Sequence, residues 1–528
     1  MVYFFGGANR YSERDAAALA STNARNLSVT SRASRYVQTL PTLSAAPGRA
    51  VTEGRLGSRI DYELFLDCVH CGLCTAACPT FLELGTEMDS PRGRIYLMRG
   101  VVDGRIPLDE EVRRHLALCL DCRACETACP SGVQYSRLLE PFRAELQERG
   151  LGDSWPGWLR FLLFQIFPRP RWTWWSLTPA RLLQRLFGQD WWRGLATVLP
   201  AKVRSLVATL PRLANRYHRW PGQLPPYGPR RARVAVFTGC VNQVLFPQVN
   251  EATVRLLQFQ GCEVLVPRQQ VCCGALHYHA GQWSLAQKYA AANLQAFPDD
   301  VDAIVVNVAG CGSTLKEYGH LLANTPLAER GHRFAERVQD VLEFLARLDF
   351  YPPNYALPIR ATYHDACHLC HAQRLREPPR QLLRQIPELE LMPLPESEVC
   401  CGAAGSYNLT QPEMAERLGR RKVEHILRLG VQAVFTANAG CLLQIQRYLR
   451  EYQLTGRRLS KPEPTRNTSF ATRKQEPTPD VRQTDTLSSA AAFADGTSVW
   501  VAHPVEALWV ACHGHLPHPG IPVRVREV

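Results

Sequence analysis

Two runs of cysteine carry the clearest chemistry in this chain. Cys68-x2-Cys71-x2-Cys74-x3-Cys78-Pro79 is followed by Cys119-x2-Cys122-x2-Cys125-x3-Cys129-Pro130. Iron–sulfur clusters take soft thiolate ligands, and a short loop with three closely spaced cysteines wraps three corners of a cube. The fourth cysteine of each run serves the other cluster. Cluster 1 therefore draws on Cys68, Cys71, Cys74 and Cys129, and cluster 2 on Cys119, Cys122, Cys125 and Cys78. Zinc knobs are the competing use of such cysteines. They pair ligands across a longer gap, whereas here both four-cysteine runs end in proline. The spacing predicts two [4Fe–4S] clusters.

A second kind of site recurs further on. Val271-Cys272-Cys273-Gly274-Ala275 parallels Val399-Cys400-Cys401-Gly402-Ala403, and each pair has a cysteine upstream and one downstream. Adjacent thiols suit metal ligation better than an ordinary disulfide. Cys240, Cys272, Cys273 and Cys311 form one set, and Cys367, Cys400, Cys401 and Cys441 the other, for a further iron–sulfur cluster or zinc. Buried structural cysteine is the plainer alternative, since free cysteine is among the most buried residue types. Recurrence of all four positions argues against it. For the unmatched Cys262 the structural reading is preferred, while Cys370, close to His364, His368 and His371, could lend an extra ligand. Cys512-His513-Gly514-His515 with His518 resembles a metal clip but stands isolated in a poorly patterned tail and reads as incidental.

No Gly-x-Gly-x-x-Gly follows a strand, and no phosphate-binding Gly-x4-Gly-Lys-Ser/Thr loop is present. No flavin or nicotinamide site is expected on this chain. Clusters move single electrons and take no hydride, so no catalytic residue is assigned, and substrate oxidation is expected on a partner.

These cysteines need elements to hold them. Arg233-Val-Ala-Val-Phe-Thr-Gly-Cys240 parallels Arg360-Ala-Thr-Tyr-His-Asp-Ala-Cys367, and Ala303–Cys311 parallels Ala433–Cys441. The intervals agree: 32 residues from Cys240 to Cys272 against 33 from Cys367 to Cys400, then 39 against 41. Each repeat alternates β-branched strands with helical periodicity, which predicts parallel strands covered by helices. Ligands collect at the carboxyl ends of such strands, where Cys240, Cys311, Cys367 and Cys441 fall. The fold class is thus multidomain α+β and α/β: a helical two-[4Fe–4S] ferredoxin module, then two repeated α/β cysteine-rich domains.

The 528 residues divide accordingly. An N-terminal extension (1–58), rich in Ala, Ser and Arg, is expected to be disordered, followed by the ferredoxin module (59–141). Residues 142–232 form a basic, Trp-rich amphipathic helical linker, and 233–350 and 360–450 are the two repeats. A C-terminal extension (457–528), rich in Pro, Thr, Ser and Arg at its start, is again expected to be disordered.

The formal net charge of +13 sits almost wholly in the linker, where residues 141–233 hold 16 Arg or Lys against 4 Asp or Glu. The same stretch carries Trp155, Trp158, Trp172, Trp174, Trp175, Trp191, Trp192 and Trp220. Arg181 and Arg185 oppose Leu182, Leu183, Leu186 and Phe187, and Val203, Leu206, Val207 and Leu210 make a second apolar stripe. Trp and Arg at amphipathic spacing are the composition of a helix lying on an anionic membrane or docking a partner, although packing against the neighbouring modules would use the same residues. Nucleic acid is a poor candidate, because no recognition fold accompanies the charge. No apolar run is long enough to span a membrane.

With these phrases in hand, the chain resembles the iron–sulfur subunits of glycolate oxidase (glycolate dehydrogenase). The resemblance rests on Cys68-Val-His-Cys71-Gly-Leu-Cys74, Asp89-Ser-Pro-Arg-Gly-Arg-Ile-Tyr96, Cys119-Leu-Asp-Cys122-Arg-Ala-Cys125-Glu-Thr-Ala-Cys129-Pro-Ser-Gly132 and Cys400-Cys401-Gly-Ala-Ala-Gly-Ser-Tyr407. Lys316-Glu-Tyr318-Gly-His320 and Thr436-Ala-Asn-Ala-Gly-Cys441 extend it.

It implies FAD-binding partner subunits that oxidise glycolate to glyoxylate, with this chain passing electrons towards a membrane quinone. It also implies a cytoplasmic protein attached peripherally to the inner face of the membrane. Iron–sulfur subunits of lactate and glycerol-3-phosphate dehydrogenases and heterodisulfide reductase share the architecture, and a non-conducting assembly scaffold is a further alternative. The broader Cys-Cys-Gly family ends each repeat in Cys-x2-Cys; Thr314 and Gln444 stand there instead, against disulfide-reducing chemistry. Arg92, Arg94 and Arg123, within or near the cluster loops, are expected to raise cluster potentials.

Overall fold

The structure is a computed structural model describing residues 56–152, 155–188, 207–215, 217–455, 499–515 and the backbone of 526–527. Residues 1–55 of the N-terminal extension, Trp191, Trp192, Val203, Leu206 and His518 lie outside the described residues, while Leu56, at the end of that extension, is packed in the core of the ferredoxin module.

The ferredoxin module is helical. Two long helices, Pro91–Val102 and Tyr135–Glu148, bury Ile95, Met98, Leu138, Leu139 and Phe142 against Phe65 and Leu116. The second helix runs through Pro141 and carries Phe142, Ala144 and Leu146 in its buried face, so the module extends past the boundary at 141 expected from sequence. The apolar helical period continues across Pro141, past the point where the basic composition begins.

Each repeat is a parallel sheet. In the first, β2 (Ala232–Phe237), β3 (Cys262–Leu265), β4 (Ala303–Val306) and β5 (Val338–Asp340) are parallel, and β1 (Gln223–Leu224) adds an antiparallel edge, in the order β1-β3-β2-β4-β5. In the second, β7 (Arg360–Tyr363), β8 (Glu390–Met392), β9 (Ala433–Phe435) and β10 (Trp500–Ala502) are parallel in the order β10-β9-β7-β8. Near-continuous apolar strands such as Val234–Phe237 and Ala303–Val306 are buried on both faces, as parallel sheets require. A two-stranded ribbon joins β6 (Tyr355–Ala356) to β11 (Arg526–Glu527).

The strand order shows what completes the second repeat. β10 stands beside β9 as β5 stands beside β4, and each is followed by a capped helix, Pro504–His513 and Val341–Arg347 respectively. Residues 499–513, expected to be disordered, are therefore the fourth strand and helix of the repeat, separated from it by the intervening chain. The composition of 457–490 masked a short apolar strand and a helix whose His503 and Glu506 form a capping box. Leu508 and Val510 on that helix are completely buried.

The two repeats also cover one another reciprocally. Helix Pro247–Phe259 of the first packs on Pro504–His513, while Val341–Arg347 packs on Glu377–Leu383 of the second. One apolar core runs through both. Among the described residues, no helix is long and apolar enough to cross a membrane.

Because helix Pro504–His513 belongs to this shared core, Leu508→Ala should cost about 2–5 kcal/mol. Denaturant unfolding followed by circular dichroism checks this; an unchanged midpoint would mean the tail adds nothing to the core.

Candidate functional site

Both cysteine runs trace the same backbone path. His70 and Asp121, each two residues after the first cysteine, have φ of 54° and 52°, and Gly72 and Arg123, each just after the second, have φ of 86° and 61°. The fourth cysteines match as well, with Cys78 at φ −86°, ψ 115° and Cys129 at φ −85°, ψ 116°. Left-handed backbone at a non-glycine residue is costly and persists where the surroundings demand it. Here it curls each loop so that backbone N–H groups reach sulfur, as Asp121 N–H does towards Cys119 Sγ at 3.4 Å. Such concavities of backbone donors suit anionic groups, clusters included.

Cys68, Cys71, Cys74, Cys125 and Cys129 line one cleft. Cys78 lies beside Cys122 and Cys125 of the other loop, and also close to Cys74. Cys129 thus reaches the first loop, and Cys78 stands between the two. Every described cysteine is free. Burial pushes the Cys74 thiol up to about 11 and also raises Cys122 and Cys125 well above the usual thiol range. Such thiols keep their protons at neutral pH unless a metal displaces them. Four soft donors per cage, together with N–H groups aimed at sulfur, fit a [4Fe–4S] cluster in each loop.

The arginines sit differently from one another. Pro91–Val102 starts with Ser90 accepting the Gly93 N–H, and Gly93 is needed because a Cβ there would run into the Glu87 carbonyl. This start aims Arg94 inwards, where it is 1% exposed, bonded to the His115 carbonyl at 2.7 Å and to Thr80 at 3.0 Å. Its guanidinium stands 3.9 Å from Cys78 Sγ, countered by Asp89 at 3.5 Å. Arg92 pairs with Glu87 at 2.6 Å and donates to the His70 carbonyl at 2.9 Å, so its charge reaches Cys71 and Cys74. Arg123 is tied to Glu126 at 3.0 Å and to Glu317 of the first repeat.

The second cysteine loop is held between the two repeats. His368 Nε2 donates to the Asp121 carbonyl at 3.0 Å, Tyr407 donates to the Leu118 carbonyl at 2.8 Å, and His371 contacts Thr127 at 3.1 Å. His279 Nδ1 lies 2.9 Å from Glu140 and 3.0 Å from Asp121. Burial opposes charge on this imidazole, but hydrogen bonds to the two carboxylates outweigh it and push His279 up to about 10. Nothing in the sequence pattern marks Asp121, Glu140 and His279 as a group, because three separate elements contribute them.

In the first repeat, Cys240 and Cys272 sulfurs are 3.6 Å apart and Cys273 and Cys311 sulfurs 3.3 Å. In the second, Cys367 and Cys400 are 4.0 Å apart, and Cys401 and Cys441 are neighbours. Gly274 and Gly402, at φ 87° and 83°, turn the chain directly after each Cys-Cys pair, and the Gly274 N–H reaches Cys272 Sγ at 3.4 Å. All eight sulfurs except Cys401 line one cavity of about 600 Å³, shared with Cys119, Asp121, His279 and His368. Cys400 stands beside Cys122, so the second set adjoins the second cysteine loop.

Other cysteines fall elsewhere. Cys262 is packed in the shared core. Cys370 groups with His371 and Glu398 rather than with the Cys367 set. Cys512 is buried while His513 stacks on Trp509, so no clip forms there among the described residues. Thr314 bonds the Gly310 carbonyl at 3.1 Å and Gln444 the Ala415 carbonyl at 2.9 Å.

The Trp-rich segment has two faces. Leu159, Leu163 and Phe164 pack inwards, with Trp155 stacked on Phe164 and Phe164 against His277. Phe161, Trp172, Trp175, Leu182, Leu186 and Phe187 remain exposed, Trp175 and Phe187 at 70% each.

Because the Arg92 charge faces Cys71 and Cys74, Arg92→Ala should lower a cluster midpoint potential by tens of millivolts, an order-of-magnitude expectation for a partly screened charge. Potentiometric EPR titration measures it; an unchanged midpoint would mean Glu87 cancels the charge.

Comparison with known proteins gives concordant results. Residues 65–133 match the 4Fe-4S dicluster domain family, and 234–316 and 361–446 each match the cysteine-rich domain family. The chain is 39% identical over 410 residues to the probable glycolate oxidase iron-sulfur subunit of Bacillus subtilis (strain 168), covering 76% of this chain and 92% of that protein. It is 36% identical over 383 residues to the glycolate oxidase iron-sulfur subunit of Escherichia coli (strain K12), covering 71% and 88%. Lactate utilization protein A of Geobacillus thermodenitrificans (strain NG80-2) is 33% identical over 215 residues, covering 40% and 90%.

Proposed function

The chain belongs to the family of glycolate oxidase iron–sulfur subunits, and on that premise we propose that it is the electron-transfer subunit of a flavin-dependent 2-hydroxy-acid dehydrogenase, with glycolate as substrate. The observation that carries this reading is the pair of matching cysteine loops, with Cys129 lining the cleft of Cys68, Cys71 and Cys74 and with Cys78 close to Cys122 and Cys125. Cys68, Cys71, Cys74 and Cys129 would hold one [4Fe–4S] cluster, and Cys119, Cys122, Cys125 and Cys78 the other. Bound there, the clusters supply one-electron chemistry between the reduced flavin of an FAD-binding partner and a membrane quinone.

The chain's own residues set the conditions for that chemistry. Arg94 presents a buried positive charge to Cys78, and Tyr135 donates to Cys119 Sγ at 3.7 Å. Both favour the more negatively charged state of a thiolate-bound group. His368, Tyr407 and His279 hold the second loop between the repeats through polar bonds that do not involve its sulfurs. The cysteine-rich repeats would hold further metal through Cys240, Cys272, Cys273 and Cys311 and through Cys367, Cys400, Cys401 and Cys441. The nearness of Cys400 to Cys122 supports a relay that continues into the second repeat.

Attachment to the inner face of the cytoplasmic membrane is part of this reading. Its support is the exposed face of Trp172, Trp175, Leu182, Leu186 and Phe187, interleaved with Arg169, Arg181 and Arg185. Arg181 stacks 3.5 Å over Trp174 and Arg169 stacks 5.4 Å over Trp172, the pairing of cation and aromatic ring found at lipid headgroups.

Two measurements test the proposal. Glycolate added anaerobically to the native complex should bleach cluster absorbance. Bleaching by lactate alone would move the substrate, and turnover with clusters that stay oxidised would refute the relay. Cosedimentation with phosphatidylglycerol vesicles should be strong for the full chain. Joint replacement of Trp175, Leu186 and Phe187 by alanine should reduce it at least tenfold; unchanged binding would rule out this face as the anchor.

A further inference from the structure

The two repeats are alike in their cysteines but not in the residue three positions before the first of them. In the first repeat it is Phe237 and in the second His364. Each sits at the carboxyl end of the strand opening its repeat, and each is completely buried. Phe237 stacks on Phe297, with ring centroids 5.9 Å apart, and serves as packing. His364 stacks on no aromatic ring among the described residues. It faces sulfur.

The hydrogen bonds around His364 fix its orientation. Nδ1 donates its hydrogen to the Ser397 carbonyl at 3.0 Å, so the lone pair of the neutral ring is on Nε2. Nε2 is fully buried and makes no hydrogen bond of normal geometry. The imidazole lies with Cys401 and Cys441 in one buried group whose donor atoms are all within 4.8 Å of one another. Donor atoms of a tetrahedral zinc or iron site stand roughly 3.3–3.8 Å apart, given metal–nitrogen and metal–sulfur bonds of about 2.0 and 2.3 Å, so small side-chain adjustments close the set. An imidazole whose far nitrogen is anchored to a backbone carbonyl is also the usual arrangement of a metal-ligating histidine. Asn438 donates to Cys441 Sγ at 3.5 Å and braces the thiolate.

We propose that His364 Nε2 is a metal ligand of the second repeat, forming with Cys401 and Cys441 a mixed imidazole–thiolate centre that the first repeat cannot build. Cys400, whose sulfur adjoins that of Cys401, provides the fourth donor, and Cys367, 4.0 Å from Cys400, is the thiol that the imidazole displaces from the set. The site suits a borderline first-row metal, zinc or iron. A neutral imidazole in place of a thiolate leaves the centre one negative charge lighter, so an iron centre here would have a higher potential than an all-cysteine one. The duplicated domains thus hold unlike centres. This inference rests on the reading of the repeats as metal sites.

The test uses the full chain, purified anaerobically with its partners. Metal content is measured together with zinc and iron X-ray absorption, and with pulsed EPR of reduced protein carrying ¹⁵N-histidine. The wild type should contain metal beyond the iron of the two ferredoxin clusters and show a nitrogen ligand to it. Zinc at that position would give the nitrogen in its absorption spectrum, and iron would give a ¹⁵N coupling.

His364→Phe, which installs the residue of the first repeat, should abolish the nitrogen signal and at least halve the additional metal. His364→Cys should restore the metal without the nitrogen, and the ferredoxin cluster EPR should be unchanged in both. A nitrogen signal and metal content that survive His364→Phe would overturn the proposal, as would additional metal with no nitrogen ligand in the wild type. If the wild type held no additional metal at all, the reading of the repeats as metal sites would fail first, and this inference with it.

Discussion

Buried sulfur is the constraint on which the rest of this structure depends. A thiol removed from water holds its proton, as the rise of Cys74 to about 11 illustrates. Grouped thiols therefore gain nothing from one another unless a cation takes the protons' place. Three features here are expensive unless such groups are filled: left-handed backbone at His70, Asp121 and Arg123, sulfurs of different cysteines within 4 Å without disulfides, and an unpartnered imidazole nitrogen at His364. Metal binding would convert each cost into folding free energy.

The architecture follows from gathering those sulfurs. Parallel strands deliver their carboxyl ends to one edge, so a duplicated unit delivers two sets of cysteines to a common cavity. Reciprocal packing of the repeats then fixes the two edges relative to each other, through the bond from the Ala309 N–H to the Ala437 carbonyl and through the interlocked helices. The second ferredoxin loop enters between them. Its anchors are polar and come from both repeats: Glu317 and His279 from the first, His368, His371 and Tyr407 from the second. Charge at this junction is compensated locally, which keeps a loop carrying several buried thiols in a defined position.

Much of this was legible in the chain because the relevant signals are local or periodic. The Cys-x2-Cys-x2-Cys-x3-Cys-Pro spacing needs only a short loop to express itself. The duplication is visible as matched phrases at matched intervals, and the strand order β8-β7-β9 repeats β3-β2-β4 as the duplication implies. What stayed hidden depends on distant pairings. The strand at Trp500–Ala502 has only three residues and follows a long stretch of polar composition, so its place beside β9 is set by tertiary packing alone. The His279–Glu140–Asp121 group joins residues from separate modules, and the orientation of His364 depends on a carbonyl 33 residues away. In the Trp-rich segment, the pattern identified amphipathic helices, but which apolar residues face inwards could be read only from the packing of Leu159, Leu163 and Phe164.

The central claim is that the cysteine loops conduct, rather than merely shaping an assembly. The most direct measurement is turnover of the assembled complex carrying Cys122→Ser, with subunit composition and flavin content verified on the same preparation. The account predicts an intact complex in which glycolate still reduces the flavin while electron delivery to quinone falls at least a hundredfold. Turnover that tracks the amount of assembled complex, with no loss per complex, would contradict it.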